Sequence, residues 1–287
     1  MIDAITNERS KSQRLQSEAI SPENYAYLQT YIYRESGIVL DNTKHYLIES
    51  RLAPLVQRER LSTLNDLCAL MRGVEGTRLR RDVVEAMTTN ETLFFRDSVL
   101  FDAITKSVLP EIIERRKLTR SISIWSAAAS SGQEAYSLAL LLLELGLQGW
   151  NIRIFGTDIN TQIIDRARIG RYMQIEVNRG LPARYLVKYF HRVGLEWQIK
   201  DEVRRMVEFA QFDLRQKMTN MGPFDLVLCR NVLIYFDTET KRKILGEIRG
   251  VLAQKGLLVL GSAETTMNLD DRFIRRPIDQ ATFYEVS

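Results

Sequence analysis

Ile124-Trp125-Ser126-Ala127-Ala128-Ala129-Ser130-Ser131-Gly132-Gln133-Glu134 is the stretch that decides the fold. An apolar, strand-like run at 121–127 feeds a loop of small residues, and a helical pattern follows it as far as Gly146. Small side chains let a ligand approach the backbone, and a helix start offers free N–H groups. The phosphate-cradling pattern G-x-G-x-x-G is absent, and so is a Walker A lysine. The loop therefore suits a nucleoside without phosphates. Tight strand-to-helix packing asks for the same small residues, so both readings stand.

Outward from this unit, strands and helices alternate. An apolar run at 152–157 is closed by Asp158 and followed by a helical segment at 161–168. Strand-like runs recur at 207–209, 224–229 and 256–260, with a helix at 238–252, and the pieces 273–276 and 282–286 suit a closing antiparallel hairpin. This pattern predicts an α/β fold with a mostly parallel, doubly wound sheet. One stretch, about 171–205, interrupts it with a short helix at 181–189 and hairpin-like pieces at 191–199, and reads as an inserted β-subdomain. Asp158 at a strand's carboxyl end can accept both hydroxyls of a ribose, or can cap the helix beginning near Thr161. Glu134 can meet a ligand ammonium, or complement the helix start.

Upstream the pattern is helical throughout. Ser21-Pro22-Glu23 opens a helix that carries Tyr25, Leu28, Ile32 and Tyr33 on one face and stops at Gly37. A second helix is expected from near Asp41, with Pro54 kinking or interrupting it, then others at 64–71 and 77–87. The expected organisation is an extension at 1–20 that is flexible, an all-α domain at 21–90, a linker and helix at 91–120, and the α/β domain at 121–287.

With 45% apolar and 26% charged residues in 287, the chain reads as an ordinary globular protein. Cys68 and Cys229 form no disulfide framework, and His45 and His191 stand beside no other metal ligand, so no metal site is expected. No leader or membrane-length apolar run is visible, which points to the cytoplasm. Basic residues collect between Arg166 and Arg205. Such a patch attracts nucleic acid or an acidic protein surface, or is simply a solvated face.

Two further strings place polar groups and aromatics where strand ends converge. They are Thr88-Thr89-Asn90-Glu91-Thr92-Leu93-Phe94-Phe95-Arg96-Asp97 and Cys229-Arg230-Asn231-Val232-Leu233-Ile234-Tyr235-Phe236-Asp237. The phenylalanines are explained by packing; Asn90, Arg96, Asn231 and Tyr235 are not. With W-S-A-A-A-S-S-G-Q-E-A-Y-S-L at 125–138, these strings resemble the chemotaxis receptor methyltransferase (CheR) family, in order and over nearly the whole chain from Ser21.

The resemblance implies a Rossmann-like methyltransferase domain that binds S-adenosylmethionine and releases S-adenosylhomocysteine, with an inserted β-subdomain and an all-α domain before it. It implies transfer of a methyl group to glutamate side chains on the cytoplasmic domain of methyl-accepting chemotaxis receptors, by a monomer, without nucleic acid, metal or membrane insertion. Position by position, it puts Asn90, Thr92 and Arg96 at the cofactor and its methyl group, Glu134 near the methionine part and Asp158 on the ribose. Asp213 and Leu214 fall beside the adenine, Arg230 and Asn231 line the pocket, and Tyr235 faces the methyl, so Arg96 and Tyr235 are the expected catalytic pair. Departures are Gln133 where a second glutamate is usual, Ala135 where proline is usual, and Asp213 where some members have asparagine. Some members dock a receptor's C-terminal pentapeptide on a glycine-containing loop; here Arg192-Val193-Gly194-Leu195-Glu196 is short, so independence from the pentapeptide is expected. The competing readings are a nucleic-acid methyltransferase, suggested by the basic stretch, and a non-catalytic cofactor-binding module.

Overall fold

The Ser21 side chain accepts from Asn24 N, Pro22 fills the first turn and Gly37 at φ +75° closes the last, so α1 (Pro22–Ser36) has the limits its sequence signals. The computed structural model describes residues 19–287; the expected flexible extension lies, up to residue 18, outside the described residues. Two compact units divide the chain between Thr88 and Thr89.

The first unit continues with α2 (His45–Arg58), α3 (Leu64–Arg72) and α4 (Thr77–Met87). α2 begins later than expected, because Asp41 Oδ1 accepts from Thr43 N and turns the chain before the helix starts. Pro54 lies inside α2 and does not end it. α3 starts on a reciprocal cap between Thr63 and Asp66. Leu28, Ile32, Ile48, Leu52, Leu67 and Met71 are fully buried and form the core of this unit. Arg58 pairs with Asp82, while Arg80 and Arg51 donate to the Met71 and Met87 carbonyls.

The second unit opens with α5 (Ser98–Ala103), a π-helical turn (Ile104–Val108) and α6 (Leu109–Arg116). The wide turn falls just before Pro110, whose ring displaces the carbonyl four residues back. There follow β1 (Ser121–Ala127), α7 (Gln133–Glu144), β2 (Asn151–Asp158) and α8 (Thr161–Ile169). The insertion carries β3 (Arg171–Met173), α9 (Gln174–Asn178), α10 (Ala183–Tyr189), β4 (Phe190–Val193), β5 (Glu196–Ile199) and α11 (Asp201–Arg204). The chain then completes the main fold with β6 (Val207–Gln211), β7 (Phe224–Cys229), α12 (Thr238–Val251), β8 (Leu252–Leu260), β9 (Phe273–Ile278) and β10 (Ala281–Val286).

The main sheet has the order β6-β2-β1-β7-β8-β10-β9. The first five strands are parallel, and β10 and β9 form the expected antiparallel hairpin at the edge. Residues pointing to one face (Ile122, Ile124, Leu226, Leu228) bury with α7; those pointing to the other (Trp125, Val227, Leu258) bury with α12. β8 starts four residues before the expected run, because a register shift opposite Phe224 lets Leu252 pair first. α9, a single turn, carried no periodicity to read. β3, β5 and β4 make a separate antiparallel sheet.

The basic surplus of 166–205 is largely partnered. Arg166 grips Glu176 through two 2.6 Å bonds, Arg204 pairs with Asp201, and Arg179 and Lys188 reach Glu91 and Glu144 from outside the stretch. That is the solvated-face reading, with Glu176 and Asp201 supplied from within the stretch and Glu91 and Glu144 from elsewhere in the unit.

At the amino-terminal end of the sheet, Asp225 is 1% exposed. It accepts from Arg116 Nε at 2.7 Å, Arg115 Nη2 at 3.3 Å and Ser123 N at 3.0 Å. Removing a buried partner strands the charges it paired. Asp225→Ala is expected to lower the unfolding free energy by about 3 kcal/mol, measured by urea denaturation at neutral pH; a loss within experimental error of zero would refute the assignment.

Candidate active site

The strand order reverses between β1 and β7, whose neighbours run away to opposite sides, and this opens a crevice at their carboxyl ends. Asp158, the last residue of β2, sits on its rim. The cap of α8 belongs to Asn160, whose Oδ1 accepts from Ile163 N at 3.1 Å. Asp158 instead accepts from Ser130 N and Asn160 N, both at 3.0 Å. An ionised carboxylate has about four acceptor sites, so capacity for further donors remains. Burial pushes its pKa up, opposed in part by the N–H groups of Asn160, Ser130 and Ile159.

The small-residue loop is held from several sides. Ala128 and Ser130 are left-handed at φ +62° and +51°, and Gly132, at φ +91°, leads into α7. Ala129 N donates to Thr157 O, Tyr172 Oη to Ser131 O at 2.8 Å, and Ser130 Oγ to the Asn90 carbonyl at 2.8 Å. The last of these ties the Asn90 segment to the loop.

Glu134, in the first turn of α7, accepts from Ser126 Oγ at 2.8 Å and from Arg230 Nη1 at 2.9 Å. Arg230 follows β7 directly and is buried; its Nη2 lies 3.7 Å from Asp97 Oδ2. Its Nε is buried with no acceptor among the described residues. Asn231 is left-handed at φ +57°. Its N–H and those of Val232 and Gly261 donate to Glu264 at 2.7–2.9 Å, with Ile234 N at 3.3 Å. A Cβ at Gly261 would lie 2.7 Å from Glu264 Oε2 and 2.8 Å from Asn231 Nδ2, so this close clasp needs glycine there.

Leu214 is buried, and Asp213 is gripped by Arg215 through Nε at 3.0 Å and Nη2 at 2.6 Å. Thr92 is half-buried. Tyr235 ends a 3-10 turn just before Asp237, the cap of α12. Arg96 is half-buried and donates to the Glu91 carbonyl at 3.3 Å. Its neighbours Phe95 and Asp97 are left-handed at φ +49° and +73°. Such non-glycine conformations cost on the order of 1–3 kcal/mol each and persist only where the surroundings enforce them.

Glu134 and Arg230 are thus bonded, and Asp158, Ser130 and Asn90 form a chain. Arg96 and Tyr235 make no hydrogen bond to any of these among the described residues. Sequence reasoning missed Glu264, Ser130 and Asp97. The one available signal for Glu264 was an acid in Gly261-Ser262-Ala263-Glu264, immediately past a strand's carboxyl end.

The residues present fit a nucleoside with an amino-acid tail: a buried acceptor at Asp158, a zwitterionic pair with an unused donor at Arg230 Nε, and no phosphate cradle. A doubly wound domain with such a crevice is of the Rossmann-like methyltransferase class. Residues 90–282 match the CheR methyltransferase S-adenosylmethionine-binding domain, and residues 23–88 match the CheR methyltransferase all-alpha domain. A chemotaxis protein methyltransferase of Vibrio parahaemolyticus is 39% identical over 88% of this chain and 93% of its own length. Chemotaxis protein methyltransferase 1 of Pseudomonas aeruginosa is also 39% identical, over 87% of this chain and 93% of its own. The chain belongs to the CheR methyltransferase family, and its cofactor is S-adenosylmethionine. Among the described residues no group of three potential ligands is arranged to hold a metal, and no helix is long and apolar enough to cross a membrane.

Glu264→Ala would leave four backbone donors without their acceptor and release the Asn231 turn. It is expected to weaken S-adenosylmethionine binding at least tenfold by calorimetry and to cost about 2 kcal/mol of stability. Wild-type affinity in the variant would show that the clasp does not shape the cofactor pocket.

Proposed function

We propose that this methyltransferase converts glutamate side chains on the cytoplasmic domain of methyl-accepting chemotaxis receptors into γ-methyl esters, independently of a receptor pentapeptide. The observation that carries the reading is the match to both CheR domains along one chain. Relatives carrying the name chemotaxis protein methyltransferase support the receptor as substrate.

The chemistry asks little of acid–base groups. A glutamate with a pKa near 4.3 is ionised at neutral pH and has no proton to lose. Neither histidine falls in the segments that carry the site residues: His45 is in α2 and His191 in β4. Bound S-adenosylmethionine supplies an electrophilic methyl group on its sulfonium. What remains for the chain is placement, and orientation alone is worth roughly 7–11 kcal/mol in favourable cases.

Asp158 accepts the ribose hydroxyls, and Glu134 and Arg230 meet the ammonium and carboxylate of the methionine part. Asn90, Thr92 and Asn231 complete the cofactor wall. Leu214 packs beside the adenine, with Asp213, held in place by Arg215, next to it. Arg96 orients the substrate carboxylate by charge-assisted hydrogen bonds, and its single weak bond to a backbone carbonyl leaves most of its donors available. Tyr235 closes the wall beside the methyl group. For the pentapeptide, the support is the turn between β4 and β5: only Gly194 and Leu195 connect the paired Val193 and Glu196.

Arg96→Ala is expected to lower turnover by two orders of magnitude or more with a small change in cofactor affinity, whereas Asp158→Ala does the reverse; equal losses in both properties for both variants would contradict these roles. The labelled product should release methanol in mild alkali, and an alkali-stable methyl group would point instead to base or ribose methylation. Receptor tail peptides should bind more weakly than micromolar, and micromolar binding would overturn pentapeptide independence.

A pH dependence follows from Asp158. The ribose hydroxyls donate to the ionised form, so this part of the affinity is present above the carboxyl's pKa and lost as pH falls through it. Burial raises that pKa, so the loss should begin at a higher pH than for an exposed aspartate, near 3.9. Calorimetric titrations against pH on wild type and Asp158→Asn would show it; identical profiles would remove Asp158 from the binding equilibrium.

A further inference from the structure

The turn that presents Arg96 is built against the inserted subdomain. Phe94 is fully buried with its ring edge-on to Tyr172 of β3, at 5.0 Å between centroids, and to Phe190 of β4, at 5.8 Å. Phe95 lies flat on Tyr185 of α10, with centroids 5.3 Å apart and planes within 10°. Gly180, between α9 and α10, sits at φ +90° where a Cβ would collide with the Phe94 carbonyl oxygen. Arg179, beside it, reaches Glu91 at 3.1 Å.

The other end of the segment is tied elsewhere. The Asn90 carbonyl accepts from Ser130 Oγ, and Phe95 N donates to Ser137 Oγ of α7 at 3.0 Å. Between these anchors the backbone is left-handed on both sides of Arg96, at Phe95 and at Asp97. A backbone in that region stays there only when its surroundings over-determine it. Here the enforcing contacts come from Tyr185 stacked on one flanking residue and Gly180 fitted under the carbonyl of the residue before it.

From this geometry we infer that Tyr185 and Gly180 are positioning residues for Arg96. They set the direction in which its guanidinium meets the substrate carboxylate, although neither touches the cofactor. The inference rests on Arg96 orienting that carboxylate, as proposed above. It is the aromatic face of Tyr185 that acts; its hydroxyl has only a 3.3 Å contact from Arg184 Nη2. Because the cofactor-side end of the segment is fastened independently at Ser130, loosening the Phe95 end alters catalysis more than cofactor binding.

A double-mutant cycle on the full-length enzyme tests this. Turnover and calorimetric S-adenosylmethionine affinity are measured for Arg96→Ala, Tyr185→Leu, Tyr185→Phe and the combination of Arg96→Ala with Tyr185→Leu. A displacement of about 1 Å in a positioned group can cost on the order of a hundredfold. Tyr185→Leu should therefore lower kcat about 10- to 100-fold with cofactor affinity within about threefold, and Tyr185→Phe should restore kcat. In the Arg96→Ala background, Tyr185→Leu should lower kcat by less than about twofold, since residues acting through one group are not additive. Equal factors in both backgrounds would overturn the inference and leave Tyr185 a packing residue. If Arg96→Ala is impaired while Tyr185→Leu keeps wild-type kcat, this inference alone fails; if Arg96→Ala itself keeps wild-type kcat, the reading beneath it fails. Should Tyr185→Leu not fold, Gly180→Ala disturbs the same turn from the backbone side and completes the cycle with the same criteria.

Discussion

The buried ion pair between Glu134 and Arg230 is the interaction around which the second unit's functional rim is organised. It joins the start of α7 to the residue following β7, across the point where strand order reverses, and Ser126 of β1 adds a third attachment. Burying two charges is expensive, and good geometry with extra hydrogen bonds is what offsets the desolvation. Glu134 has both oxygens engaged, whereas Arg230 keeps one buried donor unused. An incompletely satisfied buried guanidinium is a desolvation cost that the rest of the fold must offset. The pair thus braces α7 against β1 and β7.

Around this brace the backbone is strained at several points, although left-handed residues also occur away from it, at Arg120, Asn220 and Lys255 within β8 among others. Ala128, Ser130, Asn231, Phe95 and Asp97 all adopt left-handed conformations without being glycine. Three of them meet a bond or packing contact from a different element: Asp158 on Ser130, Glu264 on Asn231, Tyr185 on Phe95. Inert thiols fit the same picture: burial pushes Cys68 up to about 11 and Cys229 well above its ordinary value, which keeps both out of nucleophilic chemistry.

Much of this was legible in the sequence because it is carried by local signals. Alternation of strands and helices, the cap at Ser21, the loop 127–132 and the interruption after Gly170 are each read within a few residues. What could not be read depends on partners far along the chain. Glu134 looked equally suited to a helix start or a ligand, since its partner stands 96 residues away. Glu264 left almost no trace, because it binds backbone N–H groups, which have no residue identity. In Asp158-Ile159-Asn160-Thr161 two residues compete for one cap, and a shift of two positions decides which is left facing the crevice. Two of the partners of the basic stretch, Glu91 and Glu144, lie outside it and could not be matched to it from the sequence. The start of α2 and the true length of β8 were missed because a side-chain turn at Asp41 and a register shift at Phe224 leave the apolar periodicity unchanged.

The junction between the insertion and the main sheet is narrow. Gly170, at φ +66°, accepts from Ile199 N at 3.0 Å, and Gln198 reaches back to the Ile169 carbonyl at 2.5 Å. Entry and exit strands therefore meet at one point, and the chain between them is a closed loop as far as the rest of the sheet is concerned. Doubling the length of a closed loop costs only about 0.6 kcal/mol in entropy. Evolution is consequently free to lengthen, shorten or redecorate the far tip of this module while the sheet registers on either side of the neck stay as they are. The side facing Phe94 and Phe95 has no such freedom.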